Sequence, residues 1–218
     1  RFAIVVGALT ILSYLATAAV SALSGAYYID SIDNIMNWPV ANIVFAAIAP
    51  VIVFGLLNIV GIKEPAMIVF FIAMFHFCLL LYLDVKGLIM AFERHIDLTR
   101  FTHSLTAVTP AHFVHGFAAA FLGITGFESA AQIVEQLKTP TWKTLKYIYL
   151  SVVVLVGITA PITSFLCLGL LDDGQLNDFK NSLLSGLAFV EGGKPLLFVL
   201  VVDAALMLFA AVNTAYVG

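Results

Sequence analysis

Two glycines and a carboxylate interrupt an apolar run that is otherwise long enough to cross a bilayer. Gly123 and Gly126 lie inside the run that begins at Phe113, and Glu128 follows within one turn. Glycine lets a helix give up its regular hydrogen bonds, and in a membrane such unwound backbone leaves amide and carbonyl groups free to bind something. An acidic residue near the bilayer centre costs about 3 kcal/mol on insertion scales, so Glu128 must face the bundle interior, water or a partner charge. The chemistry open to Gly123, Ile124, Thr125, Gly126, Phe127 and Glu128 is recognition of a small solute. Backbone dipoles would meet its polar ends, Phe127 would wall or gate the site, and Glu128 would accept a proton or a substrate ammonium. The competing structural reading makes the glycines small residues for close helix packing and lets Glu128 reach the headgroups.

A second titratable group, His76, lies about midway along the apolar run 66–83. Imidazole changes charge near neutral pH, which suits a carrier of the coupling proton; a neutral histidine bonded to a facing carbonyl or hydroxyl fits the position equally well. His112 and His115 are three apart and can share one side of a helical turn, but zinc needs three or four ligands and the nearby acids are at no known motif spacing. We therefore assign no metal and no cofactor. Cys78 and Cys167 lie inside apolar runs as small packing residues. Asp203 is an interface residue or a buried charge partner, and Asp84 and Lys86 read as snorkelling interface charges.

These residues need membrane helices to position them. Of 218 residues, 62% are hydrophobic and only 11% charged, and the mean hydropathy of +1.07 excludes a soluble domain. A net charge of −3 offers no basic surface for nucleic acid. Six apolar runs, at 2–29, 40–60, 66–83, 113–134, 147–171 and 195–217, each approach the ~20 residues a helix needs to span. Ser13, Thr17, Ser21 and Ser24 recur on one face of the first run, as a small-residue packing seam or a substrate-facing stripe. Pro50 marks a bend in the second run, and Thr159, Pro161, Thr163 and Ser164 mark a polar bend in the fifth. Residues 172–194 read as an external loop with a surface helix over 179–189. Both ends look cut, with no leader legible at the front, so the expectation is an internal piece of a longer protein. The positive charges tie between the two sides, and the dense loop 138–146 is the hint that the short connections are cytoplasmic.

Gly126-Phe-Glu128, with Glu135, Lys138 and Pro140, resembles the sixth helix and exit loop of amino acid permeases of the amino acid–polyamine–organocation superfamily. Upstream, Leu57-Asn-Ile-Val-Gly-Ile-Lys-Glu64 looks like the loop leading into that family's fifth helix. The resemblance implies an all-α integral membrane protein with the leucine-transporter-like fold of two inverted five-helix repeats, the six runs being its third to eighth helices. It implies a multi-pass protein of the plasma (inner) membrane that carries amino acids or related amines by alternating access, coupled to H+ or Na+ or working by exchange. It places His76 about where proton-coupled members carry a basic side chain. It also makes Asn213 and Thr214, on the eighth helix, candidates for the ion or proton site. The first helix, which normally supplies the other half of the substrate site, has no counterpart in these residues.

Two rival readings come from other classes. An intramembrane enzyme built on the histidines and Glu128 would need a paired-histidine motif with an adjacent acid, or a serine elbow, and neither is present. A non-transporting membrane sensor on the same fold would keep the architecture without flux.

Overall fold

The computed structural model describes residues 2–36, 42–60, 66–96, 101, 108–123 and 139–217. Among them the chain is helical: α1 (Phe2–Met36), α2 (Ile43–Val60), α3 (Ala66–Arg94), α4 (Pro110–Gly123), α5 (Thr141–Leu170), α6 (Asp173–Asp178) and α7 (Leu183–Val217). Among the described residues, four stretches are long and apolar enough to cross a membrane, namely Ile4–Ile32, Phe70–Arg94, Thr141–Leu170 and Leu183–Asn213, and Ile43–Ile59 is a shorter apolar helix. Helices α1, α3, α5 and α7 overrun their apolar runs at one end, because the polar turns that flank them continue the same backbone, whereas α2 stays within its run. At 1.5 Å per residue, the 35 residues of α1 extend about 50 Å, well beyond a ~30 Å hydrocarbon core.

Helix α7 is the hub. Its span is 39% buried within the chain, against 17–22% for the other three. Leu197 and Val201 pack with Ile32 of α1, Leu200 and Ala188 with Leu79 and Leu83 of α3, and Val212 with Ala18 and Ala22 of α1. Leu187 joins Leu166, Cys167, Leu170 and Leu171 at the end of α5. The outward faces carry Ile4, Leu12, Phe45, Phe71, Val153 and Val202, all exposed, as a lipid-facing surface requires.

In the hydroxyl stripe of α1, Thr17 and Ser21 are buried and Ser13 stays exposed, and the neighbouring Ala18 and Ala22 form a small-residue seam with Val212 of α7; the buried Thr17 hydroxyl has no hydrogen-bond partner there. Gly25 completes this seam, since a Cβ there would lie 2.5 Å from Cε1 of Phe209. Small residues let the two backbones approach closely where water supplies no driving force.

Residues 172–194 differ from the expected loop and surface helix. Asp172 caps α6, accepting from the Gln175 amide at 2.7 Å while the Gln175 side chain accepts from the Asp172 amide at 3.1 Å. The chain then turns into α7 at Leu183, and Phe179, Ser185, Leu187 and Ala188 are buried. Ser31 of α1 donates to Ser185 at 2.9 Å, so the Ser185 hydroxyl is partnered inside the bundle. Helix α7 breaks at Gly193, where φ is 66° and ψ −159°, and resumes through Pro195, a residue suited to a helix's first turn.

Candidate functional site

His76 lies ten residues into α3, and α7 runs antiparallel beside it. The Nδ1 of His76 is 2.6 Å from Oδ2 of Asp203, joining positions 127 residues apart. The Asp203 side chain is 1% exposed and that of His76 24%. A carboxylate so enclosed requires a partner charge or a proton, and the contact holds one proton between the two atoms, on Nδ1–H when Asp203 is ionised. The second oxygen of Asp203, Oδ1, has no hydrogen-bond partner. An apolar hollow of about 410 Å³ lies against Asp203, lined by Phe71, Phe75, Phe198 and Val202 among others.

The pair ties α3 to α7 through one short polar contact in an otherwise apolar interface. His76 was legible as a titratable side chain in an apolar run. The sequence leaves the partner of Asp203 open, although an aspartate flanked by Val201, Val202, Ala204 and Ala205 is a buried ionisable residue by default.

Among the described residues, Asn213 is not gathered around this pair. Asn213 lies ten residues further along α7, roughly 15 Å away by helical rise, and accepts at 2.7 Å from Nδ2 of Asn58 on α2. The same Asn58 amide donates to the Phe54 carbonyl at 2.8 Å. Thr214 belongs to α7, but its side chain is outside the described residues. Gly123 is the last described residue of α4, and Ile124, Thr125, Gly126, Phe127 and Glu128 lie outside the described residues.

Asp84 corrects another expectation. It is 3% exposed and no snorkelling charge: Thr163 of α5 donates to its Oδ1 at 2.7 Å. Lys86, two residues on, does reach outward along α3, with Nζ 3.2 Å from the Tyr82 hydroxyl and 5.5 Å from that ring's centre. Both cysteines are free, Cys167 buried and Cys78 exposed. His112 and His115 are exposed on α4, and no cluster of three or more His, Cys, Asp or Glu side chains suited to a metal occurs among the described residues.

A family model described as amino acid permease matches residues 1–218. No curated protein and no solved structure matches the chain.

Proposed function

Because this chain belongs to the amino acid permease family, a family of membrane transporters and not of enzymes, we propose that it moves amino acids or related amines by alternating access, with His76 and Asp203 carrying the coupling proton. The observation that carries this reading is the 2.6 Å contact between His76 Nδ1 and Asp203 Oδ2 across α3 and α7. A coupling group must bind its ion with different free energy in the outward and inward states. A proton shared between two helices meets that condition, since any relative movement of α3 and α7 lengthens the contact and alters the proton's affinity.

The substrate half of the proposal rests on Gly123, Ile124, Thr125, Gly126, Phe127 and Glu128. Unwound backbone at the glycines would bind the charged ends of the solute, Phe127 would close over it, and Glu128 would exchange a proton or take the substrate ammonium. The family's fold, with two inverted five-helix repeats, would make the spans at 2–29, 40–60, 66–83, 113–134, 147–171 and 195–217 its third to eighth helices, in the plasma membrane. Asn213 and Thr214 would then form a separate polar position on α7, the place for Na+ if sodium contributes.

Uptake of labelled amino acids by the full-length protein in proteoliposomes, under an imposed pH gradient and separately under a sodium gradient, tests the proposal. Uptake driven by the proton gradient alone, and lost in His76→Ala, Asp203→Asn and Glu128→Gln, is the expected result. Uptake driven by sodium and indifferent to His76→Ala would make the pair structural.

A further inference from the structure

A second set of buried acids lies beyond the His76–Asp203 pair. Asp84 is 3% exposed and Glu191, on the 183–192 part of α7 before the Gly193 break, is 7% exposed. Thr163 satisfies Asp84 Oδ1, whereas Asp84 Oδ2 and both carboxylate oxygens of Glu191 are enclosed with no hydrogen-bond partner. Glu191 is aimed at α3: a Cβ built on Gly87 would lie 2.5 Å from its Oε1 and 2.6 Å from Cδ1 of Leu166. Gly87 is one turn beyond Asp84 on the same face of α3, and Leu166 is one turn beyond Thr163 on α5. Both carboxylates therefore enter one seam at neighbouring levels, and the missing side chain at position 87 makes room for Glu191.

The charged and titratable groups around this seam come from each neighbouring helix. Lys86 of α3 acts electrostatically on Glu191, as does Asp84. Cys167 of α5 feels both carboxylates, and Tyr28 of α1 lies near Cys167. The Nζ of Lys86 is engaged at the Tyr82 hydroxyl and leaves the three enclosed oxygens without a donor.

Ionised carboxylate oxygens only accept, and enclosing them unmet is costly. What satisfies two neighbouring carboxylates at once is a positive charge. We propose that Asp84, Glu191 and Thr163 form a site for one monovalent cation, a proton or an alkali-metal ion such as Na+, at the junction of α3, α5 and the 183–192 part of α7. Two carboxylates and a hydroxyl are hard oxygen donors, and they lack the imidazole or thiolate ligands of a transition-metal site. The site is distinct from the His76–Asp203 pair: Asp84 is eight residues from His76, roughly 12 Å along α3. Its occupant fastens the segment that ends at the Gly193 break. Without it, like charges on α3 and α7 face each other and loosen that segment.

Hydrogen–deuterium exchange on the full-length protein in lipid nanodiscs tests this, following peptides over 179–192 with rates corrected for the intrinsic effect of pH. One arm compares mildly acidic with mildly alkaline sodium-free buffer; the other replaces choline by sodium at constant ionic strength and alkaline pH. A severalfold gain in protection on acidification identifies a proton, and the same gain with sodium identifies an alkali-metal ion. Either gain must vanish in Glu191→Gln and Asp84→Asn. Exchange unchanged in both arms, or a response that survives in Glu191→Gln, overturns the proposal. Should the variants fail to fold, infrared carboxyl bands of the wild-type protein under the same conditions decide it: a band that moves with pH or sodium supports the site, and unmoved bands refute it. Neither readout involves substrate flux, so the site stands or falls independently of transport.

Discussion

Asp203 meets His76 at 2.6 Å with its side chain 1% exposed, making the pair a polar rung between α3 and α7 beside the apolar contact of Leu79 and Leu83 with Leu200. Breaking such a rung from one side strands a buried charge, which costs about 3–5 kcal/mol, whereas replacing both members by apolar residues is often close to neutral. His76→Leu is therefore expected to lower stability by that amount, and His76→Leu/Asp203→Leu to recover most of it. Thermal unfolding of the purified full-length protein in detergent measures this. A double variant as unstable as the sum of the two single ones would show that the residues do not interact.

Gly25 lies under Phe209, where a Cβ would come within 2.5 Å and 2.8 Å of two ring carbons. Overpacking a well-filled contact costs about 1–3 kcal/mol. Gly25→Leu should fall at the upper end. Gly25→Ala should cost less, because Phe209 is only half-buried and its ring can swing. Phe209→Ala in the Gly25→Leu background should restore part of the loss in the same unfolding assay, and no restoration would place the clash elsewhere.

The amide pair Asn58–Asn213, at 2.7 Å, ties α2 to α7. Interhelical hydrogen bonds in membranes average about 0.6 kcal/mol in double-mutant cycles, with a maximum near 1.7. Asn58 also bonds its own helix at the Phe54 carbonyl. The expected coupling in an Asn58→Ala, Asn213→Ala cycle is therefore about 0.5–1 kcal/mol, and additive single effects would remove the tie.

The four membrane-length helices are legible because they depend on local pattern, apolar runs of spanning length, and one of them carries His76. What stayed hidden depends on tertiary placement. Asp203 becomes the partner of His76 only when α3 and α7 lie side by side, across 127 residues of sequence. Residues 172–194 read as an external loop with a surface helix over 179–189, because Ser185, Gly186, Glu191 and Gly192 break up the apolar pattern there. Residues 183–192 pack inside because Ser31 takes up Ser185 and Gly87 leaves space for Glu191. Asp84 looked like an interface charge from its place near the end of an apolar run, and Thr163 on another helix changes that assignment. The break proposed at Gly123–Glu128 is a local signal of the same strength as His76, and its residues beyond Gly123 lie outside the described ones.

Gly193 is where α7 changes direction, with φ 66° and ψ −159°, a region of backbone space that is essentially glycine's alone. A side chain there strains the backbone by about 1–3 kcal/mol whatever the surrounding space, and space itself is no obstacle, since the nearest atom to a Cβ at 193 is Pro195 Cδ at 3.9 Å. Gly192 presents the opposite case: a Cβ there would lie 2.6 Å from the Leu196 side chain, which can change rotamer. Gly193→Ala is thus expected to lower the melting temperature more than Gly192→Ala, and Leu196→Ala should relieve only the Gly192 variant. Thermal melts of the four proteins, read by the folded fraction on size-exclusion chromatography, separate backbone strain from crowding. If Leu196→Ala also rescued Gly193→Ala, or if the two alanine variants melted together, the break at Gly193 would not require glycine's conformational range.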